Sequence, residues 1–92
     1  AAEFAAMLSA QAVLSPVVQM LLEAAGWAAT QGAEATKAQD FLRSLVASNL
    51  TASPLAPLLA SLSTEGGYNA RLRAHMEATG SYTALKSGLS AL

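Results

Sequence analysis

Hydrophobic positions recur along this chain at intervals of three and four residues and never in strict alternation. Leu55, Leu58, Leu59 and Leu62 fall in one stripe on a 3.6-residue period, as do Ala38, Phe41, Leu42, Leu45 and Val46. Phe4, Met7 and Leu8, with Gln11 or Ala12, form a shorter stripe near the start, and Tyr68, Leu72 and Met76 another towards the end. No run of Val, Ile and Thr alternates with polar residues as a half-buried strand would. The pattern predicts an all-α fold, a compact bundle of five or six short helices forming a single domain over residues 1–92.

Glycine, proline and the small polar residues divide the stripes. A first helix is expected from Ala2 to Leu14, interrupted at Ser15-Pro16 because the residue before proline avoids the α region. The same pair can open a second helix, and one long kinked helix is the alternative. Val17, Val18, Met20, Leu21 and Leu22 are apolar nearly all round, which predicts the most buried segment of the bundle. Gly26 is expected to end it and Trp27 to close over the core. A third helix should run from about Glu34 to Asn49, with Glu34 to Lys37 and Asp40 to Arg43 as surface pairs.

The punctuation is densest after Leu50. Thr51 or Ser53 can cap a helix whose first position suits Pro54, and Pro57 still falls in its first turn. Gly66-Gly67 ends that helix, and Gly80 occupies the place of a left-handed cap after the next one. Ser81 can then cap a last helix ending at Leu92. Connections this short favour antiparallel neighbours. A faint echo, SPVVQMLLEA against SPLAPLLASL, does not keep a constant spacing and is no repeat.

Composition agrees with helix, since 53% of the residues are hydrophobic, dominated by Ala and Leu, and only 5% are aromatic. Charge changes the picture more. Only 12% of residues are charged, against about 25% in a typical soluble domain. Such a surface either presents Ala, Leu and Ser to water or covers part of itself with a partner. A net charge of −1 gives no footprint for nucleic acid, which needs clustered Lys and Arg. Residues 4–22 and 44–64 carry no charge, yet Ser9, Ser15, Pro16 and Gln19 interrupt the first run and Pro54 and Pro57 the second. Buried helices are therefore preferred to a membrane. The missing initiator Met fits a processed chain or a piece of a larger one, and the missing basic n-region argues for a cytoplasmic location.

Catalytic chemistry finds no support. His75 is the single histidine and Asp40 the single aspartate, on different expected helices, and no serine sits in a nucleophile motif. There is no cysteine, so disulfides, thiolate ligands and thiol nucleophiles are all absent. The scattered Glu3, Glu23, Glu34, Glu65 and Glu77 show no metal spacing, and Gly66-Gly67 lacks the lysine of a phosphate loop. Asn49-Leu50-Thr51 fits the glycosylation pattern, which matters only for a secreted chain. No enzyme, cofactor or metal is expected.

The order of a leucine-rich helix opened by Leu50-Thr51, the Gly66-Gly67 break, then Tyr68, Leu72 and Met76, a turn, and Ser81-Tyr82 with Leu85 resembles the second half of the all-helical C-terminal domain of glutathione transferases. The resemblance covers a little under half of the chain. Where that family places an Asp completing a capping box, this chain has Pro54, and Gly80 stands where the family's turn commonly has Pro. The family's thiol-activating residue belongs to a thioredoxin-like half that has no counterpart in this chain. What the resemblance implies is a non-catalytic scaffold domain for complex assembly, of the kind that docks on related helical domains in aminoacyl-tRNA synthetases and elongation-factor subunits. It places Arg71, Arg73 and His75 on a helix that lies at such interfaces, with the planar guanidinium of Arg71 or Arg73 as an anchor.

Three functions are therefore distinguished. The first is docking onto another helical protein domain, or self-association. The alternative is a small carrier of an apolar ligand or lipid, with Met7, Met20 and Trp27 lining a cavity. The third is a fragment of a transferase that is active only when its other half is supplied.

Overall fold

The computed structural model describes residues 1–92. It contains α1 (Ala2–Ala10), a 3-10 turn (Gln11–Val13), α2 (Leu14–Thr30), α3 (Ala35–Ala52), α4 (Leu55–Ser61), α5 (Tyr68–Ala78) and α6 (Ser81–Ser90), with no strand. The fold is all-α. Two units are distinguished, one made of Ala1–Val13 with Ala56–Leu92 and the other of Leu14–Leu55.

The second unit is a helical hairpin in which α2 packs against α3. Its turn is closed by a glycine. The Ala33 amide donates to the Ala28 carbonyl (3.0 Å) and the Gly32 amide to the Ala29 carbonyl (3.2 Å), while Gly32 takes φ 108°. This is the paired bonding of a Schellman motif, which needs a residue that tolerates positive φ just past the helix end. Glu34 then starts α3 from the other side. Its two carboxylate oxygens accept from the Thr36 amide (3.1 Å) and the Lys37 amide (2.8 Å). Those amides have no partner within the helix, so an acidic side chain with extended backbone satisfies two of them and sits at the positive end of the dipole. The expected ion pair with Lys37 is thus replaced by a bond to the Lys37 backbone.

The hairpin seam follows the 3.6-residue period closely. Val17, Leu21, Ala25, Ala28 and Ala29 on α2, and Ala38, Leu42, Val46 and Asn49 on α3, are the positions withdrawn from water. Only Ala25 and Ala38 are buried, at 1% and 9% exposure. Both lie in the half of their helix that is nearer the turn.

The first unit turns on a second glycine. Gly80 takes φ 83° and ψ 16°; its amide donates to the Glu77 carbonyl at the end of α5, and its carbonyl accepts the Ala84 amide at the start of α6. One residue ends one helix and begins the next, so Gly80 rather than the expected Ser81 is the N-cap of α6. Between α4 and α5, Gly66 has φ 78° and the Gly67 amide bonds the Thr64 carbonyl at 3.0 Å. A side chain at Gly67 would place its Cβ only 3.1 Å from that carbonyl oxygen.

Several expectations are corrected. Ser15-Pro16 neither stops the first helix nor opens the second: α2 runs from Leu14 to Thr30, past Gly26, and with α1 and the 3-10 turn it makes one helical run from Ala2 to Thr30, the long-helix alternative. Pro16 has no amide to give the Ala12 carbonyl and its ring crowds that group, and the 3-10 turn at Gln11–Val13 sits just where the α-helical ladder would be disturbed. Trp27, expected as a lid on the core, is 67% exposed. The burial expected of a compact bundle is not found. Phe4, Met7, Leu8, Val18, Met20, Leu22, Phe41, Leu45, Leu55, Leu59, Tyr68 and Leu72 are all exposed, and Ala25 and Ala38 are the only buried residues. Periodicity locates the apolar face of a helix, but it does not determine whether another element in the same chain covers that face.

Candidate functional site

Side chains capable of chemistry stay apart. No three His, Asp or Glu groups come together. What the structure presents instead is apolar surface, in two places.

The first is an open groove in the Ala56–Leu92 part of the chain, about 190 Å³, lined by Leu59, Leu62, Leu72, Arg73, Met76 and Tyr82 among others. The three residues singled out on α5 divide around it. Arg73 lies on the groove side and donates from Nη2 to Ser63 Oγ at 2.9 Å, tying α5 to the segment after α4. Arg71 and His75, one turn apart, lie on another face with Tyr68, and the Arg71 guanidinium stands 5.8 Å from the Tyr68 ring centre. That distance is within reach of a cation–π contact. Tyr68 is 86% exposed, so the pair faces water. The three residues therefore do not form one cluster. Arg73 makes an internal tie, whereas Arg71, Tyr68 and His75 form a surface strip. The periodicity places Tyr68 on one stripe with Leu72 and Met76, and its i, i+3 spacing to Arg71 is the signal in the sequence for the strip.

The second place is the α2/α3 hairpin, where Met20, Trp27, Phe41 and Leu45 are exposed. Met7, Met20 and Trp27, expected to line a ligand cavity, are all exposed and none of them lines the groove. Asn49 is engaged inside α3, its Nδ2 donating to the Leu45 carbonyl at 2.8 Å. Glu34 is held below the ordinary carboxylate range by the Lys37 amide first and the Thr36 amide second.

Comparison with known protein families, with characterised proteins and with solved structures finds no match to this chain.

Proposed function

We propose that this chain is a non-catalytic helical assembly module that works by docking its uncovered apolar faces onto another helical protein surface. One observation carries the reading. Residues that the sequence pattern assigns to a core, among them Phe41, Leu55 and Leu72, are more than three-fifths exposed with the whole chain folded. Apolar surface of this extent is unfavourable in water, at about 25 cal/mol per Å², and is retained where a partner covers it. Few charges interrupt the faces, which lowers the desolvation cost of closing them. On this reading the resemblance of residues 50–92 to the glutathione transferase C-terminal domain supplies the type of partner, a helical domain of related kind. Arg71 and His75 are the polar anchors, and Arg73 holds the groove in shape.

Affinity capture with the purified chain tests it. A defined protein should be retained by the wild type and lost from an Arg71→Ala or a Phe41→Ser variant. If nothing is retained, the chain is monomeric and neither substitution changes any interaction, the docking function is wrong.

One feature favours a second reading, insertion into a bilayer. The helical run Ala2–Thr30 spans 29 residues, and its most apolar 18-residue window has mean hydropathy 1.6 and no buried residue. This is long enough to cross a membrane. Pro16, Gln11 and Gln19 weigh against it. Flotation of the purified chain with liposomes decides: co-flotation that persists in high salt favours the bilayer, and a chain left in the soluble fraction removes it.

A further inference from the structure

Charge divides the α2/α3 hairpin across its length. The charged residues of this unit, Glu23, Glu34, Lys37, Asp40 and Arg43, all lie within residues 23–43, the half that contains the turn. The other half, residues 14–22 of α2 and 44–52 of α3, carries none. Its apolar side chains are open to water, Leu14 at 65% exposure and Val18, Met20, Leu22, Leu45 and Leu50 at 47–49%. They do not share a face. Val18 and Leu22 follow one side of the α2 stripe that packs on α3, and Met20 lies on its other side; Leu45 and Leu50 flank the α3 stripe in the same way. A single docked protein covers one broad face of a hairpin, whereas lipid chains cover both.

The polar side chains of the same half suit such a medium. Gln19 donates from Nε2 to Glu23 Oε1 at 2.7 Å, and Thr51 Oγ1 donates to the Ala47 carbonyl at 3.0 Å. Ser48 Oγ and Asn49 Nδ2 both donate to the Leu45 carbonyl, at 3.1 Å and 2.8 Å. Apart from Ser15 and Ser44, every polar side chain there is thus satisfied inside its own helix. A group bonded in this way loses little when water is removed. Length agrees as well. Residues 14–22 and 44–52 each make about 14 Å of helix at about 1.5 Å per residue, close to one leaflet of a hydrocarbon layer about 30 Å thick. Trp27 follows Leu22 by little more than one turn, at the level where a tryptophan ring favours the headgroup boundary.

We infer that the hairpin enters a lipid bilayer by its uncharged half, with residues 14–22 and 44–52 among the acyl chains and the charged half and its turn at the surface. The inference rests on the bilayer reading proposed above; it adds which part of the hairpin enters and how deep. Lipid then covers the apolar side chains on both sides of the seam, and Glu23, Lys37, Asp40 and Arg43 stay in water, where their charge costs nothing to keep.

The test uses the full chain and phosphatidylcholine vesicles in high salt, with fluorescence quenching by phosphatidylcholine brominated either near the headgroup or near the chain ends. Trp27 is the only tryptophan, so its quenching reports the depth of the turn half. A Trp27→Phe/Leu14→Trp variant reports the other half, and because Leu14 is exposed the larger ring displaces no packing. The chain should float with the vesicles. Trp27 should be quenched more by bromine near the headgroup, and the variant more by bromine near the chain ends. Val18→Asp should abolish flotation with its helical circular dichroism retained, whereas Phe41→Asp, at a more exposed position in the turn half, should leave flotation intact. A chain that does not float overturns the inference and the bilayer reading together, and leaves the docking function standing. A chain that floats with Trp27 quenched as deeply as the tryptophan of the variant overturns the inference and leaves the bilayer reading standing. So does flotation that Phe41→Asp abolishes and Val18→Asp does not. Should Val18→Asp fail to fold, the two quenching profiles decide.

Discussion

Replacing Ala25 by Leu probes the one place where the chain is closely packed. Ala25 is 1% exposed, on the α2 side of the α2/α3 seam. The substitution adds three carbon atoms at a fully buried position, so either the helices separate or the side chain leaves its preferred rotamer. Overpacking of this kind costs about 1–3 kcal/mol. Stability of about 0.05–0.15 kcal/mol per residue, taken at its lower end for a chain with only two buried residues, gives about 5 kcal/mol in total, of which the loss is a large share. In a domain of this size each kcal/mol moves Tm by about 4–8 °C, so the midpoint should fall by about 5–20 °C. Urea and thermal unfolding followed by circular dichroism at a fixed protein concentration measure it. The control is Ala47→Leu, the same change on the exposed back of α3, expected to stay within about 0.5 kcal/mol of the wild type. If Ala25→Leu costs no more than Ala47→Leu, the seam described here is not what holds the hairpin together.

Three further outcomes are expected. Glu34 has its folded pKa held below the ordinary value, so its stabilising bonds to α3 are fully present above the unfolded pKa of about 4.3 and disappear as pH falls through the lower folded value; an acid titration of helicity should show this step in the wild type and lack it in Glu34→Gln. Gly80→Ala places a side chain at φ 83° with no atom within 4 Å to obstruct it, so its cost is that of the backbone alone, about 1–2 kcal/mol by thermal unfolding, with Gly80→Asn losing less. Pro16→Ala returns the amide missing from the ladder, and helicity and Tm should both rise, by about 1–2 kcal/mol once the greater freedom of the unfolded chain is subtracted; an unchanged signal would mean that the 3-10 turn has another cause.

The two Ser-Pro pairs mark where sequence reading succeeds and where it stops. Ser53-Pro54 separates two helices, with Ser53 extended at φ −149° and ψ 152°. Pro57 follows three residues later, so a continuous helix would lose two amides and crowd two carbonyls within one turn. Ser15-Pro16 stands alone among strong helix formers, and one tightened turn absorbs it. The local rule is the same at both sites; the number of prolines decides. Gly80 was legible because a left-handed cap needs only local chemistry, whereas Gly32 was passed over because no apolar stripe ends visibly beside it. Ala38, Leu42 and Val46 were placed correctly on the inner face of α3. Phe41 and Leu45, from the same stripe, face water because the stripe is wider than the single helix that packs on it. At the groove, the spacing of Arg71 and His75 could be read from the chain. The diversion of Arg73 to Ser63 depends on where the α4–α5 connection returns, and spacing alone does not encode that.

Gly80 has a kinetic consequence as well. The same residue gives its amide to the last turn of α5 and its carbonyl to the first turn of α6, with no spacer that could unwind at one end alone. Fraying of α5 from its C-terminus therefore releases the start of α6 in the same event. The Gly80 and Ala84 amides should exchange with solvent deuterium at one common rate, and the two helices should open and close as a single unit.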